Sequence, residues 1–204
     1  MTGTLYIVAA PSGAGKTSLT RALLEREPNL ALSVSYTSRA PRPNEIDGVH
    51  YHFVTRDEFE RMIECGEFFE HAVVHGDLKG TARGPVERTL ATGKDVLLEI
   101  DWQGANQVRS KMKDTVSIFI LPPSRAELER RLRSRASDSE ETILRRLADA
   151  RRDLEHAGDF DYIVVNDNFE TALDEICAII EHRRRGEASP KRDYAPLLAD
   201  LLRI

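Results

Sequence analysis

Leu5-Tyr6-Ile7-Val8-Ala9-Ala10-Pro11-Ser12-Gly13-Ala14-Gly15-Lys16-Thr17 is the stretch whose reading decides the fold. A short apolar run leads into a Gly-rich turn, and a helix-forming stretch, Ser18 to Arg26, follows at once. Strand, glycine loop and helix in that order make a phosphate cradle. Glycines let backbone N–H groups point inward at phosphate oxygens, Lys16 reaches the outer phosphates, and the Thr17 hydroxyl meets Mg²⁺. Ala10, Pro11, Ser12, Gly13, Ala14, Gly15, Lys16 and Thr17 are therefore the candidate nucleoside triphosphate site. The loop departs from the usual G-x-x-x-x-G-K-[ST] pattern at its first position, which is Ala10. A methyl group there restricts φ without blocking the loop. Pro11 brings no N–H, so the donors that matter are those of Gly13 to Thr17, beside the positive end of the helix.

Outward from this loop, four apolar runs alternate with helical patterns: Leu5 to Ala10, Val96 to Ile100, Val116 to Leu121 and Tyr162 to Val165. That rhythm predicts an α/β fold with a parallel sheet flanked by helices. Runs that are apolar at nearly every position suit strands covered on both sides. Ligands of such sheets sit at the carboxyl ends of the strands. Between the first two runs, Ser33 to Thr92 reads differently, with alternating pieces at Tyr51 to Val54 and Phe68 to Val74, and is expected to be a folded β-rich insertion. Within it Thr55 and Glu58 have capping-box spacing, ahead of Phe59, Met62 and Ile63 on one helical face. Further on, Ser124 with Glu127 opens a helix through about Arg135, and Ser137 with Glu140 opens a longer one towards His156. These two helices read as a hinged arm. A last helix is expected from Phe169 to about Arg184, then a polar break and a short amphipathic tail, Tyr194 to Ile204, whose leucines suit either the core or another subunit.

Composition sets bounds. The 204 residues, 41% of them hydrophobic, suffice for one domain with a real core. A formal net charge of −5 argues against a general nucleic-acid binder, so any anionic ligand must meet local arginines. No run of about 20 apolar residues exists to span a membrane. The N-terminus lacks the pattern of a signal peptide, and the two cysteines, Cys65 and Cys177, fall in helical patterns with no metal-ligand spacing. They read as packing thiols in a reducing cytoplasm.

The segment Ser35-Tyr36-Thr37-Ser38-Arg39-Ala40-Pro41-Arg42-Pro43 places two arginines three residues apart in a loop stiffened by prolines. Two planar guanidiniums on a stiff loop can hold phosphate oxygens bidentately. Taken alone, such a segment is equally well a solvated polar turn.

Four motifs in order, P-S-G-A-G-K-T, S-x-T-[ST]-R-x-x-R, D-G-x-x-Y and E-I-D-W-Q-G, together resemble the guanylate kinase family, over Gly3 to about His182. The resemblance implies a P-loop NTPase-type core at 3–32, 93–124 and 158–182, a GMP-binding insertion at 33–92, a helical lid at 125–157 and a C-terminal tail at 183–204. It implies transfer of the γ-phosphoryl of MgATP to GMP, and to dGMP, in a cytoplasmic enzyme of purine metabolism, with ATP and GMP as partners and no role for nucleic acid or membrane. Arg39, Arg42 and Tyr51 would contact the GMP phosphate, and Ser35, Glu70, Thr81 and Asp101 would surround its guanine. The chemistry agrees with that allocation, because guanine presents N1–H and its 2-amino group side by side and one carboxylate accepts both. Lys79 stands where the family usually carries a phosphate-binding tyrosine, and a lysine charge also suits phosphate. Glu99 stands where aspartate is common, and with Thr17 is the expected Mg²⁺ set. Arg135 and Arg146 of the lid, with Lys16, Arg39 and Arg42, would carry the charge of the transferring group. Asn166 and Asp167 fit the adenine side. The acceptor oxygen is already an anion, so no general base is required. Two alternatives remain at this stage: a P-loop kinase for another phosphorylated small molecule, and a non-enzymatic phosphopeptide-binding module.

Overall fold

The computed structural model describes residues 2–74, 76–134, 139–190 and 192–203. Along the chain these form β1 (Leu5–Ala9), α1 (Lys16–Arg26), β2 (Leu30–Leu32), β3 (Tyr36–Thr37), β4 (His52–Phe53), α2 (Arg56–Glu64), β5 (Phe68–Val74), β6 (Asp77–Ala82) and α3 (Arg83–Ala91). There follow β7 (Asp95–Glu99), α4 (Trp102–Lys111), β8 (Thr115–Leu121), α5 (Arg125–Arg133), α6 (Glu140–Glu155), β9 (Tyr162–Val165), α7 (Phe169–Arg185) and α8 (Ala195–Leu201). No helix among the described residues is long and apolar enough to cross a membrane.

Two units divide the chain, one of residues 1–7 and 29–116, the other of residues 8–28 and 117–204. In the first, the main sheet runs β2-β7-β1, and β2 pairs with β7 in parallel through Leu30 with Asp95 and Leu32 with Leu97. β1 is buried along its whole length, as expected of a strand covered on both faces. β2 was not foreseen, since three residues with one exposed leucine give no periodic signal. The same unit holds the expected β-rich segment, a four-stranded sheet in the order β4-β3-β6-β5. Phe59 and Met62 of α2 pack with Phe68, Leu78 and Ala82 on one face of that sheet, and the Phe59 and Phe68 rings stack at 4.4 Å. The Thr55 hydroxyl caps α2 by accepting from the Glu58 N–H.

In the second unit the main-sheet order is β1-β8-β9, with β8 and β9 parallel. Arg26 near the end of α1 is tied to Glu170 and Asp174 of α7. Helices α5 and α6 form a hairpin around Leu128, Leu132, Ile143, Leu147 and Ala150.

Three expectations need correction. The long arm helix begins at Glu140, and its cap is Ser139, which accepts from the Thr142 N–H; the proposed box on Ser137 falls on a residue outside the described set. The preceding helix ends at Arg133. Cys65 is exposed at the C-cap of α2 instead of packing inside it, because the helix stops at Glu64 and Gly66 follows with φ 68°.

Candidate active site

Loop 10–17 leaves β1 and enters α1 through Gly15, whose φ of 95° is open to glycine and costly for other residues. Gly13 has φ 93°. The Ala14 N–H donates to the Pro11 carbonyl at 3.2 Å, which closes the turn. Residues 10–13 and 15–18 line a cavity of about 320 Å³ at the N-terminus of α1. Every predicted triphosphate residue of the loop except Ala14, which is fully buried, borders it. A cavity lined by this loop and Lys16 at the positive end of an 11-residue helix is suited to a polyphosphate. Asn166, just after β9, reaches the loop from behind and donates from Nδ2 to the Ala14 carbonyl at 2.7 Å. Arg131 of α5 donates to the Asn166 carbonyl at 3.1 Å and pairs with Glu127 at 2.7 Å.

The four-stranded sheet of the other unit sorts its side chains by register. Phe68 pairs with Ala82 but Glu70 pairs with Thr81, so a β-bulge lies between Phe68 and Glu70. Without that extra residue Glu70 would share the apolar face of Phe68. The bulge turns it to the opposite face, alongside Thr81, Lys79 and, through the β3 register, Thr37. There the buried Glu70 carboxylate accepts from the Thr81 hydroxyl at 2.6 Å. Burial pushes the Glu70 carboxyl above its ordinary range, against the lowering effect of the Thr81 bond. Asp101 caps α4 by accepting from the Gly104 N–H at 2.8 Å. A methyl on Gly104 would lie 3.3 Å from a Glu70 oxygen and 3.4 Å from an Asp101 oxygen, so the two carboxylates flank one small gap.

The arginine loop is anchored to β6: the Ser38 N–H donates to the Leu78 carbonyl at 3.0 Å, and the Ser38 hydroxyl accepts from the Leu78 N–H at 2.9 Å. Arg39 forks onto Glu45 with two bonds of 2.9 Å, and lies 5.7 Å from the ring centres of both Tyr51 and Phe53. The backbone N–H of Arg42 also donates to Glu45, at 2.7 Å. These bonds hold the Glu45 carboxyl down to about 2. Lys79 stands 3.5 Å from the Tyr51 hydroxyl and 5.2 Å from its ring centre. Glu45, which holds Arg39, is not among the residues expected from the sequence; an acid three residues after Arg42 carries no signal until the turn at Asn44, φ 71°, folds it back.

Among the predicted residues, then, the structure brings together Arg39, Tyr51 and Lys79, and separately Glu70, Thr81 and Asp101. Ser35 is half-buried beside them in sequence, and its carbonyl accepts from the His52 N–H at 2.9 Å. The Arg42 side chain is exposed, Arg146 is half-buried on α6, and Glu99 ends β7. Arg135 lies outside the described residues. The Thr17 hydroxyl and the Glu99 carboxylate are each hard oxygens, of the kind Mg²⁺ takes. No group of three or more His, Cys, Asp or Glu side chains that could hold a metal ion exists among the described residues.

A glycine loop between a parallel strand and a helix, with a carboxylate-bearing face on a second sheet, defines a P-loop protein of the nucleotide-binding α/β class. The guanylate kinase family model matches residues 2–183. Guanylate kinase from Xylella fastidiosa is 59% identical over 202 residues, spanning 99% of each chain. That from Xanthomonas campestris pv. campestris is 57% identical, over 99% of this chain and all of the other. The crystal structure of guanylate kinase from Anaplasma phagocytophilum superposes with a TM-score of 0.71 at 36% identity, covering 89% of this chain and 86% of that one. The chain belongs to the guanylate kinase family.

Proposed function

We propose that this enzyme transfers the γ-phosphoryl of MgATP to GMP, and to dGMP, releasing ADP with GDP or dGDP. The observation that carries the reading is the buried Glu70 carboxylate, held by Thr81 and turned by the bulge to the face that also bears Lys79. An ionised carboxylate there accepts from guanine N1–H and the 2-amino group together, whereas the bare N1 of adenine would face it unpaired; such mispairing discriminates by roughly 10⁴-fold in favourable sites. This also favours a nucleotide acceptor over another phosphorylated small molecule. The glycine loop with Lys16 and Thr17 favours an enzyme over a phosphopeptide-binding module.

In this reading Ser35, Thr81 and Asp101 complete the guanine site, and Arg39, Arg42, Tyr51 and Lys79 take the acceptor phosphate. Loop 10–17 and Lys16 take the triphosphate. Mg²⁺, met by Thr17 and by Glu99 through water, supplies neutralising charge on the phosphates when bound. The arm of α5 and α6 serves as the lid and contributes Arg146, with Arg135 assigned the same part on the strength of the family. Because the acceptor oxygen is already ionised, the side chains have only to align two anions and neutralise them. A cytoplasmic setting agrees with the free thiols and the acidic balance, which also disfavours nucleic acid.

The test is a coupled assay of ADP release with MgATP and, in turn, GMP, dGMP, AMP, CMP, UMP and dTMP, with Lys16→Ala as control. Turnover confined to GMP and dGMP and lost in the control is expected. Turnover with none of them, in folded protein that binds ATP, sinks the assignment.

A further inference from the structure

Asn166 is only 5% exposed, and it is gripped from three directions. Its own N–H donates to the Leu121 carbonyl at 2.8 Å, its carbonyl accepts from Arg131, and its side-chain amide donates to the Ala14 carbonyl at 2.7 Å. The fit against the loop is close: a methyl on Gly15 would stand 2.3 Å from the same amide nitrogen. A trans peptide is planar, with C=O and N–H pointing opposite ways. An Ala14 carbonyl pinned towards Asn166 therefore aims the Gly15 N–H to the other side of the loop. Gly15 lines the cavity at the head of α1.

We infer that Asn166 is a positioning residue for the triphosphate, acting through the Ala14–Gly15 peptide, a role apart from any contact its Oδ1 makes with the nucleobase. The inference rests on the reading of loop 10–17 as a nucleotide site. It accounts for a feature of the chain. Gly15 must be glycine because the brace occupies the space of its side chain as well as demanding its left-handed backbone.

The probes that separate the two roles are MgATP and Mg-tripolyphosphate, which lacks a base, titrated calorimetrically into wild type and Asn166→Asp. The substitution keeps the shape but turns a donor into an acceptor facing a carbonyl. Both probes should weaken alike, by roughly tenfold for one lost buried hydrogen bond, with GMP affinity unchanged. As pH falls and the introduced carboxyl takes up a proton it becomes a donor again, so the deficit relative to wild type should shrink. If the aspartate variant does not fold, Asn166→Ser removes the same donor without adding charge and should show the same equal loss. Weaker ATP with unaltered tripolyphosphate would place Asn166 on the base and overturn the inference; so would no loss for either probe. Wild type that binds neither probe would instead reject the nucleotide loop itself.

Discussion

The two regions read as phosphate sites are built on opposite plans. Loop 10–17 offers backbone N–H groups at a helix end, with positive φ at Gly13 and Gly15 and a buried amide bracing the turn. The arginine loop and its sheet offer side chains: a guanidinium held by a carboxylate, a phenol and an ammonium. The first plan fixes its donors by backbone geometry and tolerates little change of residue. The second fixes them by ion pairs and ring contacts, so each member should contribute a graded share. Substitutions in the first should therefore fail steeply and those in the second by degrees.

Gly15→Ala is the sharpest way to break this contrast. A methyl there meets the Asn166 amide, and φ 95° costs a non-glycine residue about 1–3 kcal/mol by itself. ATP affinity should fall roughly 100-fold or more, with GMP binding intact. Two titrations check it, and an alanine variant that binds ATP normally would remove the distinction between the plans.

Arg39→Lys probes the second plan, since it keeps the charge and loses the fork. A lysine cannot bond both Glu45 oxygens in parallel and also present a planar face beside Tyr51. KM for GMP should rise roughly 30-fold while KM for ATP stays put, and inhibition by guanosine, which has no phosphate, should not change. A loss shared by guanosine would mean that Arg39 supports the sheet instead of the phosphate.

How much of this was legible in the sequence follows the same division. The loop could be read directly, because its function depends on residues that are neighbours in the chain: strand, glycines, lysine and helix all lie within Leu5–Arg26. Asn166 bracing Ala14 is 152 positions away and gave no local sign of that bond. The proposed guanine face could be allocated only through family resemblance. It depends on a one-residue bulge in β5 that reverses the face of Glu70, and on the register of β3 with β6 that puts Thr37 opposite Lys79. Nothing in the alternation of Phe68 to Val74 marks the bulge, since Phe68, Phe69 and Glu70 are all buried. Glu45 was invisible for a related reason, the single non-glycine positive φ among the described residues, at Asn44, being what turns it onto Arg39.

Within the side-chain plan, pH should separate base from phosphate. Glu70 must be ionised to accept both guanine donors, and burial raises its pKa, so protonation begins at higher pH than for an exposed carboxylate. Lowering the pH through that raised value should increase KM for GMP, approaching tenfold per unit once the carboxyl is largely protonated. Glu45, held down to about 2, keeps its grip on Arg39 across the same window. Inhibition by guanosine should follow the same rise, because the titrating group faces the base. A Glu70→Gln variant should bind GMP more weakly and lose this pH dependence. Guanosine inhibition that is flat with pH while KM for GMP climbs would assign the titration to the phosphate end.

Lys79 is the smallest and most instructive case, because charge and reach can be separated. It holds a position on β6 facing the same side as Glu70 and Thr81, with its ammonium 3.5 Å from the Tyr51 hydroxyl and 5.2 Å from the ring centre. A partly exposed ammonium contributes through screened attraction, so Lys79→Met, which keeps length and bulk, should raise KM for GMP only about threefold at low salt. The difference should close as ionic strength rises, whereas the loss in Arg39→Lys, which comes from bond geometry, should persist. Lys79→Tyr restores the residue usual in the family and offers a hydroxyl donor without charge. If it recovers wild-type KM but with a flatter salt dependence, lysine here replaces a short-range bond with a longer-range field, and the graded character of the side-chain plan lies in that exchange.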